Sequence, residues 1–163
     1  MTGTSDANHA ILALILVSAP LAGKGATERI IIKGGDLVEP IEIADSAIAG
    51  RFSVGTGPGT TPNYGGPGMI IDWDRGIVRP PRGLTVYDVL LVTTRRDPST
   101  YVARYAIDPS TGEGYVYLPG KGEPEYRDNT WLIYRGVEGN WFHAWQEWEK
   151  VANPLIAKAV KTR

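Results

Sequence analysis

The sequence predicts an α+β fold: an antiparallel meander sheet of about five to seven strands with an N-terminal hairpin, and a C-terminal helix packed on one face. Two observations predict it. β-Branched and aromatic runs with a period of two, separated by turn residues, fill most of the stretch from residue 29 to 135. After Gly136 the apolar spacing changes to about 3.6, the repeat of a helix that buries one stripe.

The first strands are residues 29–43 (RIIIKGGDLVEPIEI), two runs around Gly34-Gly35-Asp36 that read as a hairpin, with Pro40 tolerated near a strand end. Asp45 is placed to cap a short helix over 46–51, because its carboxylate can accept from the free amides of the first turn. Residues 55–68 (GTGPGTTPNYGGPG) then form a long loop, since their glycines and prolines oppose regular structure.

A short strand is expected over 69–73 (MIIDW), followed by a turn-rich link that holds Pro80-Pro81. The meander is assigned to 85–95, 101–107, 114–118 and 130–135 (TWLIYR). Its links, 96–99 and 108–113, carry Asp, Pro, Ser and Gly at the positions tight turns require. Trp141, Trp145, Trp148, Ala152, Leu155, Ile156 and Ala159 fall on one helical stripe, with Pro154 expected to kink or restart the helix and Asn153 to cap the restart. The expected core includes Ile31, Val89, Leu91, Val116, Leu132, Trp145 and Trp148.

Composition bounds the chemistry. The 163 residues suit one domain, and 42% hydrophobic with 21% charged residues is ordinary globular composition. A formal net charge of -1 shows no electrostatic footprint for nucleic acid. Cysteine is absent, which excludes disulfides, thiolate catalysis and Cys-ligated zinc. Residues 1–26 read as a signal peptide and 27–163 as a single sheet-rich domain. The apolar run at 10–22 (AILALILVSAPLA) is shorter than the roughly 20 residues of a bilayer span but suits the core of an export signal. The expected location is secreted or periplasmic, the alternatives being an uncleaved anchor or a buried core helix, with no stable membrane span after cleavage.

Candidate chemistry is sparse. Asp72 and Asp74 flank Trp73 with the spacing that points both carboxylates one way if the strand continues, as acid/base work on a sugar requires; ordinary turn chemistry before Gly76 is the favoured reading. Tyr101 and Tyr105 share one strand face, Tyr115 and Tyr117 another, and Arg104 alternates with the first pair. On an exposed sheet these would make a stacking platform for sugar rings or a peptide; beneath the tryptophan-bearing helix they would be core. His143 is expected on the helix face opposite the tryptophans, with Glu147 and Lys150, as part of a solvated surface. With His9 in the expected signal peptide, His143 is the single histidine left to the mature chain and makes no metal site by itself, and no cofactor is implied.

Residues 40–45 (PIEIAD), 105–122 (YAIDPSTGEGYVYLPGKG) and 138–148 (EGNWFHAWQEW) resemble a family of uncharacterised secreted bacterial proteins. The resemblance covers most of the chain after residue 28 and implies export, but supplies no activity or catalytic residue set. Two functions are therefore expected in competition: an extracytoplasmic binding or interaction domain, with a glycan or envelope protein as partner, and a small secreted or cell-envelope hydrolase using carboxylates.

Overall fold

The computed structural model of the protein describes residues 26–60, 65–94 and 100–161. The segment assigned to export, the tip of the glycine-rich loop at 61–64 and the turn at 96–99 lie outside the described residues. Two glycines with positive φ, Gly34 and Gly35, turn β1 (Thr27–Lys33) back toward β2 (Ile41–Ile43). Asp45 then caps α1 (Ser46–Ala49), its Oδ1 accepting from the amides of Ala47 at 2.8 Å and Ile48 at 3.4 Å.

A two-residue pair, β3 (Pro67–Gly68) and β4 (Ile71–Asp72), forms a separate small sheet. The expected strand over 69–73 is thus shorter than its apolar run. Met69 sits at φ 54, and a 3-10 turn over Trp73–Arg75 follows at once. The remaining strands are β5 (Ile77–Val78), β6 (Val86–Thr93), β7 (Thr100–Ile107), β8 (Gly114–Tyr117) and β9 (Trp141–His143). With β1 and β2 they build a seven-stranded sheet in the order β2-β1-β6-β7-β8-β9-β5, antiparallel throughout.

Two expected elements are replaced. Residues 130–135 are not a strand: they follow α2 (Pro124–Asn129), and the place of a strand beside Val102 is taken by the Asn129 carboxamide. Its Oδ1 accepts from the Val102 amide at 2.8 Å and its Nδ2 donates to the Val102 carbonyl at 2.6 Å. The helix does not begin at Trp141 either. Residues 141–143 pair with β8, and α3 (Gln146–Lys161) starts after Trp145. The tryptophan spacing matches a helix, but Phe142 and Ala144 are the buried residues here, which is the period of a strand.

α3 runs through Pro154 without restarting. Asn153 caps nothing: it accepts from the Tyr105 hydroxyl at 2.6 Å and donates to the Gly112 carbonyl at 3.1 Å, tying the helix to β7 and to the following turn. Trp148, Ala152 and Ile156 face the sheet, where they meet a core that includes Ile30, Ile32, Val89, Leu91, Ala103, Tyr105 and Val116. Phe52 closes that layer edge-on to Trp148, ring centroids 5.3 Å apart. Of the expected core, Ile31 lies on the other face of the sheet and is half-buried, because three consecutive isoleucines leave the phase of β1 open. Leu132 and Trp145 are half-buried and pack against the core from loops.

Topology sets the shape of the second face. Four antiparallel pairings separate β5 from β6, so the two run parallel about 19 Å apart. The link at 79–85 crosses that span with a turn at Arg82-Gly83, where Gly83 takes φ 78. Pro80-Pro81 favours an extended stretch before the turn, since polyproline geometry gains about 3.1 Å per residue.

Candidate functional site

Register places one continuous row of side chains across the face opposite α3: Lys33, Asp88, Arg104, Tyr117, Trp141 and Val78. The next row is Val86, Ala106, Tyr115 and His143. A period of two sends Tyr101 and Tyr105 the other way. Both are fully buried beneath the helix layer: Tyr101 lies edge-on to Tyr134 at 5.8 Å and Tyr105 edge-on to Trp148 at 5.7 Å. Burial pushes both hydroxyls well above the ordinary tyrosine range. Neither belongs to a surface platform, which leaves Arg104, Tyr115 and Tyr117 of the expected set.

Arg104 is the centre of the open face. It reaches Glu123 at 2.7 Å and Glu125 at 3.3 Å, with Asp88 at 3.9 Å, and its guanidinium lies 5.6 Å from the centroid of the Tyr117 ring. Burial opposes the Glu123 charge, but donors from the Gly120 amide at 2.6 Å, the Tyr117 hydroxyl at 2.7 Å and Arg104 outweigh it and hold the carboxyl below its usual range. Desolvation and the bond to Glu123 push the Tyr117 hydroxyl up to about 12. The short turn at 118–123, which ends at the N-terminus of α2, therefore fixes the Arg104 side chain from below and leaves it about a quarter exposed.

Trp141 continues the platform. Its ring is 5.2 Å from that of Tyr117 and tilted by 44°. Beyond it lies a largely apolar hollow of about 300 Å³, bounded by Trp141, Val86, Ala106 and residues 79–84 of the crossing link. Tyr115, in contrast, is buried. Its hydroxyl donates to Glu113 Oε2 at 2.9 Å and is pushed up to about 12 by burial and by that bond.

Glu113 joins the two faces at the end of β8. Arg75 donates to its Oε1 at 2.7 Å, and His143 Nδ1 lies 2.8 Å from the same oxygen without hydrogen-bond geometry. The bond from Arg75 holds the Glu113 carboxyl below its usual range against a smaller opposing effect of burial. His143 thus belongs to β9 and to this network, not to a helix face. Glu147 pairs instead with Arg51 at 2.9 Å and Lys150 at 2.6 Å.

On the other side of the same strand end is a polar, solvent-open cleft of about 420 Å³, bounded in part by Asp72, Arg75, Glu113 and Glu149. Glu149 Oε1 accepts from the Gly114 amide at 2.6 Å, while burial, reinforced by the Glu113 charge, raises its carboxyl. Asp74 does not line this cleft. Because the strand stops at Asp72, the two aspartates part, and Asp74 Oδ1 accepts from the Gly66 amide at 3.0 Å as a clasp on the glycine-rich loop.

A third, larger hollow of about 700 Å³ opens between the C-terminal half of α3 and the sheet end, with Tyr87, Ile107, Ile156 and Val160 among its walls. Among the described residues no cluster of His, Cys, Asp and Glu has the geometry of a metal site, and no helix is long and apolar enough to cross a membrane. Sequence reasoning missed Trp141, assigned to a buried helix stripe, and Glu123, which looks like an ordinary loop acid. The signal available was the alternation of 141–144. Compared with family models, with curated proteins and with solved structures, the chain matches none.

Proposed function

We propose that the protein is an extracytoplasmic domain that binds a carbohydrate on the open face of its sheet. The observation that carries this reading is the row Arg104-Tyr117-Trp141: two partly exposed, half-buried aromatic rings beside a guanidinium whose position is set by Glu123 and Glu125. Sugar rings present apolar C–H faces that stack on such rings, and hydroxyls that both donate to carboxylates and accept from guanidinium groups. A prearranged polar set next to aromatic surface lowers the ordering cost of binding. Location outside the cytoplasm is supported by the apolar run at 10–22 and by the resemblance to secreted bacterial proteins.

Affinity electrophoresis and calorimetry against a panel of polysaccharides test the reading. Trp141→Ala should weaken binding by at least about tenfold, the loss of one stacked ring, with the melting transition still cooperative. Binding that survives both Trp141→Ala and Tyr117→Ala would refute the site.

One observation favours hydrolysis as a second reading: Asp72 and Glu149 line one cleft, and Glu149 has a raised carboxyl suited to a general acid. The separation of Asp74 from this cleft and its openness to solvent favour binding. Glycan cleavage abolished by Glu149→Gln would reverse that order.

A further inference from the structure

The hollow beside Trp141 has a chemistry different from that of the Arg104 cluster. Around Arg104, three carboxylates, Asp88, Glu123 and Glu125, surround one guanidinium, so this half of the face carries excess negative charge and offers acceptors. The hollow has no acid in its wall but has Arg79 and Arg82, both exposed. Neither makes an ion pair or hydrogen bond with any other described residue. Both lie on the crossing from β5 to β6, Arg82 at its turn, and Pro80-Pro81 between them limits the freedom of the backbone.

Resting on the carbohydrate-binding reading above, we propose that the ligand is an acidic polysaccharide: a uronate residue sits in the hollow against Trp141 with its carboxylate between Arg79 and Arg82, and the adjoining sugars lie over Tyr117 and Arg104. The two halves of the face select this class together. Two exposed guanidinium groups beside an apolar wall suit an anion carried on a ring, and the planar carboxylate matches their paired N–H donors. The acids around Arg104 require hydroxyl donors on the next part of the ligand. They also disfavour a polyphosphate chain, which would bring a charge every few ångströms against Asp88, Glu123 and Glu125. A volume of about 300 Å³ is at the small end of ligand sites, which suits a single sugar ring more than a bulky side chain of a protein partner.

The test compares short oligosaccharides in which glucuronate alternates with a neutral hexose with the same chains methyl-esterified, which keep every ring and hydroxyl but lose the charge. Calorimetry is run on the full chain, on Arg79→Gln/Arg82→Gln and on Trp141→Ala, with melting curves to confirm that each variant is folded. The uronate should bind at least about tenfold more tightly than its ester. The double glutamine variant should erase that preference, and the preference should shrink as salt rises from 50 to about 500 mM. Equal affinity for acid and ester, or a preference that the glutamine variant retains, would overturn the inference. If Trp141→Ala still abolishes binding in that case, the carbohydrate face stands and only its acidity is wrong. If neither ligand binds the parent while neutral glycans of the wider panel do, the uronate assignment falls alone. No binding of any glycan overturns both.

Discussion

Asn129 acts as a strand that the chain does not have, and removing it should be costly. It is 2% exposed, and its carboxamide makes both bonds that a neighbouring peptide group would make to Val102, at 2.8 and 2.6 Å. Asn129→Ala leaves one N–H and one C=O of β7 without partners in a half-buried position. At about 1–3 kcal/mol for each unsatisfied group, discounted for partial access to water, the loss is about 2–4 kcal/mol. With a urea slope of about 2 kcal/mol/M, the unfolding midpoint should fall by about 1–2 M. The same residue ends α2, the helix that carries Glu125, so Arg104 should also lose part of its support. Asn129→Asp refines the test. Its carboxylate still accepts from the Val102 amide, but its second oxygen faces the Val102 carbonyl where the native Nδ2 lies 2.6 Å away. The native state then favours the protonated acid, which restores the donor. The aspartate variant should therefore be damaged at pH 7 and recover toward the parent below about pH 4. Urea curves at both pH values, with hydrogen exchange at the Val102 amide, measure this. An alanine variant whose midpoint moves by less than about 0.3 M, corresponding to about 0.6 kcal/mol at that slope, would refute the argument.

Three further outcomes follow from the same geometry. Gly114→Ala should destabilise by about 1–3 kcal/mol, because a Cβ there would lie 2.5 Å from the Tyr105 hydroxyl and 2.9 Å from Ala144 Cβ. Gly112→Ala meets no atom within 4 Å and should cost only the strain of its φ of 77°, about 1–2 kcal/mol; a thermal melt in which Gly112 proves the costlier site would contradict the packing. Burial and the Glu113 charge raise the Glu149 carboxyl, so the folded chain holds that proton more tightly than the unfolded chain. The stability it brings is complete below the ordinary glutamate range and is lost as pH rises through the raised value. Glu149→Gln keeps an acceptor for the Gly114 amide and should gain on the parent between about pH 4 and 7; a difference independent of pH would show that Glu149 is not perturbed. Tyr105→Phe removes the bond to Asn153 and leaves that carboxamide oxygen without its donor, which should lower stability by about 1–2 kcal/mol in urea unfolding. An unchanged midpoint would mean that the hydroxyl is dispensable.

The architecture was legible where one pattern dominated. The hairpin around Gly34-Gly35, the alternation of β6 and β7, the Asp45 cap and the burial of Trp148 all follow from short-range rules that no tertiary contact contradicts. It was illegible where two patterns share the same residues. Residues 141–145 satisfy both helical tryptophan spacing and strand alternation, and pairing with β8 decides between them. Residues 130–135 have strand propensity, but the neighbouring places are taken: Asn129 occupies the edge of β7 at Val102 and β9 takes the edge of β8. Pro154 is expected to kink or restart α3, yet the helix continues through it as one element, with Trp148 and Ile156 packed on the core on either side.

The candidate site depended on a choice that strand periodicity cannot make by itself. Alternation separates Tyr101 and Tyr105 from Arg104, but it does not say which set lies under the helix. Cross-strand register supplies the missing step. Asp88 stands opposite Arg104, and Lys33 opposite Asp88, so one face of the three central strands carries a row of charges. Burying that row under α3 would desolvate three ions at a cost of several kcal/mol each, which a helix stripe of Trp148, Ala152 and Ile156 has no polar groups to offset. The helix must therefore choose the tyrosine face, and Tyr117 and Trp141, in register with the charges, are left toward solvent. The open platform is in this sense the remainder of the folding problem: its aromatic residues lie outside the core because the row they share with Arg104 cannot be buried.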